Sequence, residues 1–111
     1  MDKGKIQRIL KRLKQAFEAR DIQIDRLIVF GSQTTGRSHA DSDLDIIIIS
    51  DAFLGKSVFE RAQITGQVHW DIVQIFKVPM DLIPMTNSEF DSGNSLIAQF
   101  AKQSHILFTG T

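Results

Sequence analysis

Residues 31–50 have the sequence GSQTTGRSHADSDLDIIIIS, in which a Gly-Ser pair is followed by an Asp-x-Asp pair and four isoleucines. The apolar run at 44–49 predicts a strand covered on both faces, because its apolar residues are continuous rather than alternating. Residues 27–30, Leu-Ile-Val-Phe, predict a second buried strand. Two carboxylates, Asp43 and Asp45, therefore stand at the start of a very apolar segment, where charged groups need a partner.

The remainder of the chain predicts helices on a mixed sheet. The predicted elements are an amphipathic helix over 3–19, either one helix over 57–76 or two helices with a break near Gly66, a strand over 78–85, a helix over 88–103 and a last strand over 106–108. Pro79 and Pro84 indicate that the 78–85 strand lies at an edge of the sheet or is short, because proline donates no ladder hydrogen bond. The predicted fold class is α/β (α+β), a mixed sheet flanked by helices.

Composition narrows the class of protein. The 111 residues fit one domain, 1–111, and 42% hydrophobic content with 23% charged residues allows a packed core. The absence of cysteine excludes disulfides and thiolate metal sites. A net charge of zero gives no overall attraction to nucleic acid, and we interpret the basic face of the first helix as solvated surface. No apolar run resembles a signal peptide or a membrane span, so we expect a soluble, cytoplasmic protein.

The acidic residues predict a metal site. Asp43 and Asp45 would share one face of a strand, roughly 6–7 Å apart, where their negative charges repel. Mg²⁺ would neutralise both, because it is commonly held by one or two carboxylates together with water and substrate phosphates. Asp81 is the only charged residue between Val78 and Met85, and if the two strands are neighbours it would complete a three-carboxylate cluster.

The Gly-Ser pair predicts an anion site beside the carboxylates. Gly31 permits a sharp turn after the strand, and Ser32 would cap a short helix over 33–36, whose free N–H groups favour phosphate. Arg37 would contact phosphate or hold the loop in place. Each feature alone has an ordinary explanation: a turn, a polar loop with local hydrogen bonds, and a satisfied acid at 81. Their combination favours a metal–phosphate site.

The spacing of these motifs resembles that of a known family. Gly31-Ser32, ten intervening residues and then Asp43-x-Asp45 is the signature of the DNA polymerase β-like nucleotidyltransferase superfamily, and Asp81 resembles its third carboxylate. The short chain, the first helix and the last strand resemble the minimal nucleotidyltransferases (MNT proteins) over residues 5–108.

The resemblance implies an activity and a partner. Family members use Mg²⁺, here two ions, to transfer a nucleoside monophosphate from a triphosphate such as ATP to a hydroxyl group. By this resemblance Asp43, Asp45 and Asp81 are the catalytic and metal-binding residues, and the nucleotide-binding residues are Gly31, Ser32, Arg37 and Ser42. Many minimal members are antitoxins that pair with a HEPN ribonuclease toxin, and some AMPylate that toxin. We therefore expect an adenylyltransferase acting on a HEPN-type partner.

One departure from the family pattern supports an alternative. Gln33 stands where the family often has arginine, which removes positive charge near the expected triphosphate. The alternative is a non-catalytic antitoxin that blocks its partner by contact and keeps only a vestigial nucleotide site. We expect a homo- or hetero-oligomer in either case, because a short chain leaves sheet edges uncovered.

Four further residues have no assigned role in the site. His39, His69 and His105 form no metal-binding spacing, and we interpret them as ordinary histidines. Trp70 is expected to pack in a core or an interface, and a solvent-facing position would suit a partner-binding hot spot.

Overall fold

A computed structural model describes residues 3–30, 44–92 and 105–109. The elements in chain order are α1 (Lys3–Glu18), β1 (Arg26–Phe30), β2 (Leu44–Ile49), a 3₁₀ turn (Asp51–Phe53), α2 (Val58–Phe76), β3 (Met80–Met85), α3 (Asn87–Asp91) and β4 (His105–Thr109). The order of helices and strands confirms the predicted mixed α/β pattern.

The four described strands form one sheet in the order β3-β2-β1-β4. β1 runs antiparallel to both β2 and β4, whereas β2 and β3 are parallel. A parallel pair needs a long crossover connection, and α2 supplies it between β2 and β3. The N-terminal ends of β2 and β3 therefore lie at the same end of the sheet as the C-terminal end of β1.

β2 is buried on both faces, as its unbroken apolar sequence predicts. Leu44, Ile46 and Ile48 pack in the cluster that also contains the inward residues of α1 and α2. Ile47 and Ile49 pack on the opposite face. All five side chains are fully buried, so this strand is fixed in position by packing on either side.

α1 packs through one face, as predicted from its helical periodicity. The buried residues of this face are Ile6, Ile9, Leu10, Leu13 and Phe17. The helix ends in a Schellman motif, in which the N–H of Ile22 donates to the carbonyl of Phe17 and the N–H of Asp21 donates to that of Glu18, both at 3.0 Å. Asp21 has the left-handed backbone conformation that this motif requires, with φ of 62°.

Of the two alternatives for residues 57–76, the single helix is correct and the break near Gly66 is not, because α2 is one continuous helix of 19 residues. Ser57 and Glu60 form a capping box at its start: the Ser57 hydroxyl accepts the Glu60 N–H at 3.1 Å, and the Glu60 carboxylate accepts the Ser57 N–H at 3.0 Å. Thr65, Val68 and Ile72 bury the inner face against the sheet. This tertiary packing outweighs the modest helix penalty of a single glycine.

β3 lies at an edge of the described sheet, as its prolines predict. Pro84 lies opposite Ile48, and the strand starts at Met80 rather than at the predicted Val78. His69 of α2 lies against this edge strand, with its Nε2 atom 2.7 Å from the carbonyl oxygen of Met80. The imidazole of His69 and the ring of Pro84 thus occupy part of the free edge of β3, where a further strand could otherwise form hydrogen bonds.

The final predicted elements are confirmed where the structure describes them. α3 begins at Asn87, one residue before the predicted start, with a capping box between Thr86 and Glu89. α3 ends at Asp91 with Ser92 as its C-cap, so the prediction of a helix over 88–103 is confirmed only for 88–91. Positions 93–103 lie outside the described residues. The predicted last strand is confirmed as β4. Among the described helices, none combines the length and the apolar character needed to span a membrane.

Candidate active site

Asp45 and Asp81 lie side by side on neighbouring strands. They are register partners in the parallel pair of β2 and β3, each at the second position of its strand. Opposite residues of a parallel pair point to the same side of the sheet, and their Cα atoms are about 4.8 Å apart. The structure therefore brings together two of the three carboxylates that the sequence suggested would converge.

The carboxylate pair lies on the sheet face opposite α1 and α2. Side chains alternate along a strand, so Asp45 shares a face with Ile47 and Ile49, and the same alternation places Asp81 with Ile83 and Met85. Asp45 is half-buried and Asp81 is exposed. The isoleucines that follow Asp45 are fully buried, so packing of β2 limits the movement of its carboxylate.

The end of β1 lies next to the same carboxylates. Phe30, the last residue of β1, is the register partner of Asp45 in the antiparallel pair of β1 and β2. The order of strands across this end of the sheet is therefore β1, β2 and β3, with Phe30, Asp45 and Asp81 in one row. We refer to this end as the carboxylate end of the sheet.

The remaining predicted site residues lie outside the described residues. They are Gly31, Ser32, Arg37, Ser42 and Asp43. The predicted short helix at 33–36 and His39 also lie there. Their roles in nucleotide and metal binding remain predictions. Within the described ranges, no cluster of three histidine, aspartate or glutamate side chains forms a metal site.

A shallow cavity of about 200 Å³ lies between α2 and the start of β3. Ala62, Gly66 and His69 form part of one wall, and residues 80–82 form the other. Pockets that hold a small molecule usually measure roughly 300–1,000 Å³, so this cavity is too small to enclose a nucleotide. It provides an open surface beside Asp81.

The opposite end of the sheet is closed by polar contacts. The guanidinium of Arg26 donates to Asn87 at 3.0 Å and to Asp91 at 3.1 Å, and it lies 5.1 Å from the ring centroid of Phe90. The side-chain amide of Asn87 also donates to Asp25 at 2.8 Å. This network ties α3 to the start of β1.

Sequence reasoning left the positions of two α2 residues unassigned. His69 covers a carbonyl of the edge strand, and the only signal for it was its helical spacing from the buried Thr65 and Ile72. Trp70 is 66% exposed, so the alternative of a solvent-facing position is the correct one.

The sequence as a whole matches a model of the nucleotidyltransferase domain over residues 6–107. The chain belongs to the nucleotidyltransferase domain family. The resemblance noted from the 31–45 motif is thereby confirmed at the level of the family. In this nucleotidyltransferase domain, the match extends from α1 into β4 and includes both ends of the sheet.

Solved structures share the nucleotidyltransferase fold with this chain. A toxin–antitoxin crystal structure with AMP-PNP superposes with a TM-score of 0.64 at 16% identity, covering 90% of this chain and 72% of that one. A candidate nucleotidyltransferase from Sulfolobus solfataricus gives 0.58 at 22% identity, covering 97% and 88%. A mutant of the toxin–antitoxin MntA–HpeT gives 0.63 at 14%, covering 87% and 69%. No curated protein sequence matches this chain significantly.

Proposed function

We propose that this nucleotidyltransferase domain transfers AMP from ATP to a hydroxyl group of a partner protein in the presence of Mg²⁺. The observation that carries the proposal is the register of Asp45 and Asp81, which places two carboxylates side by side at the end of the sheet where β1 also ends. Asp43 precedes β2 directly and Gly31 follows β1 directly in the chain. Because each of these two residues adjoins a described strand end, we propose that the phosphate-binding and metal-binding residues meet at the carboxylate end.

The residues present fit a hard divalent cation. Two carboxylates on adjacent strands offer oxygen ligands of the type that Mg²⁺ prefers. Because the two negative charges repel each other, binding of a cation between them is favourable. We propose that Asp43, Asp45 and Asp81 hold two ions. When bound, such ions neutralise phosphate charge and stabilise the attacking and leaving oxygens of an in-line displacement at phosphorus.

The other roles follow from the family resemblance and from position. Gly31 and Ser32 would bind the triphosphate through backbone N–H groups and a hydroxyl, with Arg37 and Ser42 as further contacts. Asp81, which is exposed and nearest the open cavity, would orient the acceptor hydroxyl and accept its proton. The acceptor oxygen then bonds to the α-phosphorus, and pyrophosphate leaves.

Two observations support a protein as the acceptor. The cavity beside Asp81 is open and small, so the described residues do not enclose a free small-molecule acceptor. Two structures with the same fold are toxin–antitoxin proteins, one of them with AMP-PNP. The mutant MntA–HpeT carries two Asp-to-Glu changes at positions two apart, the spacing of Asp43 and Asp45. We propose a HEPN-type toxin as the partner, with this chain as its antitoxin.

The test is transfer of label from ATP. The purified chain, the proposed HEPN partner, Mg²⁺ and ATP labelled at the α-phosphate should together label the partner, and EDTA should abolish labelling. Asp45→Asn and Asp81→Asn should each reduce the initial rate by about 100-fold or more, because each removes a charged ligand. Asp91→Asn at the opposite end of the sheet is the matched control, and it should label normally. Equal labelling by all three variants would refute the catalytic assignment.

Gln33 favours a second candidate function, inhibition by contact alone. A neutral side chain in place of the usual basic one would weaken triphosphate binding. In that case Asp45→Asn protein would still neutralise its toxin in cells, although no label is transferred. Loss of neutralisation by Asp45→Asn, with the complex still formed in pull-down, would reject this candidate.

A further inference from the structure

The outward face of α2 carries large apolar side chains in solvent. Phe59 is 71% exposed and Trp70 is 66% exposed. They lie eleven positions apart, which is close to three helical turns, so both project from the same side of the helix. Gln63 and Gly66 lie between them on this side. We call these four residues, together with the adjacent Ala62, the α2 stripe.

Gly66 has no evident role within the chain. A Cβ added at this position would meet nothing within 4 Å, and the backbone there is ordinary helix. Glycine inside a helix costs about 1 kcal/mol relative to alanine, so packing within one copy does not explain it. A residue without a side chain on an exposed helix face does allow another backbone to approach closely.

The charge of the stripe favours a second copy as the occupant. Residues 62–70, AQITGQVHW, contain no aspartate, glutamate, lysine or arginine. Arg20 and Asp71 also line the groove beside Trp70, and they pair with each other at 3.0 Å. Two identical copies can therefore meet here without bringing unpaired like charges together. The exposed face of α1 carries Lys3, Arg8, Lys11 and Arg12, and two copies of that face would repel.

We propose that two copies of this chain associate through the α2 stripe, with the two helices antiparallel about a two-fold axis. In such an interface residue i of one copy contacts residue j of the other, and the reverse contact is also made. An axis midway between positions 59 and 70 sets Phe59 of one copy against Trp70 of the other, twice. Gln63 and Gly66 then lie at the crossing, where the glycine lets the helices approach.

The exposed area is sufficient for a modest dimer. A large aromatic side chain buries roughly 150–250 Å² when covered, and a two-fold interface contains four such rings. With the adjacent Val58, which is 85% exposed, the total is on the order of 1,000 Å², the lower range for specific interfaces. We therefore expect a reversible, concentration-dependent dimer.

The dimer would lie beside the small cavity between α2 and β3. Ala62 and Gly66 line the groove beside Trp70, and they also line the cavity whose other wall is residues 80–82. A second copy seated on the stripe therefore lies at the rim of the surface that faces the start of β3. This inference does not depend on catalysis, since it concerns association alone.

Sedimentation equilibrium tests the association. Wild type should shift from monomer to dimer with increasing concentration, and Trp70→Glu should raise the dissociation constant by about 30-fold or more, because it removes a large aromatic contact twice per dimer. Gly66→Leu should also weaken the dimer, because its side chain separates the helices. Ile75→Glu is the matched control: Ile75 is 51% exposed on the other side of α2, so the dimer should persist. Far-ultraviolet circular dichroism should verify that each variant is folded.

Cross-linking tests the position of the axis. The chain has no cysteine, so Gln63→Cys introduces a single thiol beside the proposed crossing. A short bismaleimide should convert this variant to a covalent dimer, whereas Gln7→Cys on the exposed face of α1 should form the same non-covalent dimer but should not be cross-linked. The proposal is overturned if wild type remains monomeric at all concentrations, or if Trp70→Glu leaves the dimer intact. It is equally overturned if the stripe proves to bind only a different protein.

Discussion

Two residues that carry side chains adopt the left-handed backbone conformation at the ends of the long helices. Asp21 has φ of 62° after α1, and Lys77 has φ of 57° at the end of α2. In this conformation a Cβ introduces strain of roughly 1 kcal/mol, which glycine avoids. We expect Asp21→Gly and Lys77→Gly each to raise the free energy of unfolding by about 0.5–1 kcal/mol.

Urea denaturation at neutral pH measures both changes. Gly55 provides the reverse control, because a glycine already occupies a position with φ of 78°. Gly55→Ala should therefore lower the free energy of unfolding by about 1 kcal/mol. A lower urea midpoint for Asp21→Gly would contradict the proposed strain at that position.

The Glu89 carboxylate predicts a pH dependence. Its ion pair with Arg61, at 2.7 Å, and the N–H of Thr86, at 2.8 Å, lower its pKa below the ordinary value of 4.5. Since the unfolded chain binds this proton at higher pH, the stabilising contribution is complete above pH 4.5 and is lost as pH falls through the lowered pKa. The carboxylate is about half exposed, so the contribution should stay below about 1 kcal/mol.

Glu89→Gln isolates that contribution. Glutamine still fits the capping box, so the variant loses mainly the charge. The stability difference from wild type should be largest at neutral pH and vanish at low pH, as measured by urea denaturation across the range. A difference that is constant with pH would disagree with this assignment.

At the level of the elements, the capping box of α2 is a local signal with a measurable effect. Ser57→Ala removes the acceptor for the Glu60 N–H and should lower the free energy of unfolding by about 1 kcal/mol. Ser57→Asp keeps an acceptor at the same position and should be close to wild type. Thermal denaturation followed by circular dichroism would compare the two, and equal losses would show that the cap contributes little.

The elements also differ in how well the sequence predicts them. β2 is predicted with its observed bounds, because β-branched residues and burial on both faces favour the same structure. α2 is less clear from its sequence, since exposed Phe59 and Trp70 obscure the apolar periodicity that marks a buried face. The S-x-x-E and T-x-x-E patterns at Ser57 and Thr86 were local signals for the helix starts.

At the scale of the whole molecule, the sequence predicted that Asp45 and Asp81 would lie on neighbouring strands. It did not predict the polar contacts of Arg26 at the opposite end of the sheet. An acid isolated in an apolar strand indicates a need for partners, which points to Asp81 beside β2. The contact of Arg26 with Asn87 and Asp91 spans more than 60 positions and has no local sequence signal. Such contacts depend on the final arrangement of the strands.

The Arg26 network should contribute to global stability. Arg26→Met keeps much of the aliphatic stem but removes the hydrogen bonds to Asn87 and Asp91 and the contact with Phe90. We expect a loss of about 1–2 kcal/mol in the free energy of unfolding, because the group is partly buried and makes several charged contacts. Arg26→Lys should recover only part of it, since lysine lacks the planar fork. If Arg26→Lys recovered the full free energy of unfolding in urea denaturation, the positive charge alone would account for the stabilisation.

The position of β4 has a consequence for synthesis on the ribosome. β1 is an inner strand, and one of its two neighbours comes from residues 105–109, about 80 positions later in the chain. Until those residues leave the exit tunnel, the nascent chain exposes one side of an apolar strand to other polypeptides. Ribosomal pausing before that point would therefore favour capture by chaperones or misassembly between neighbouring nascent chains.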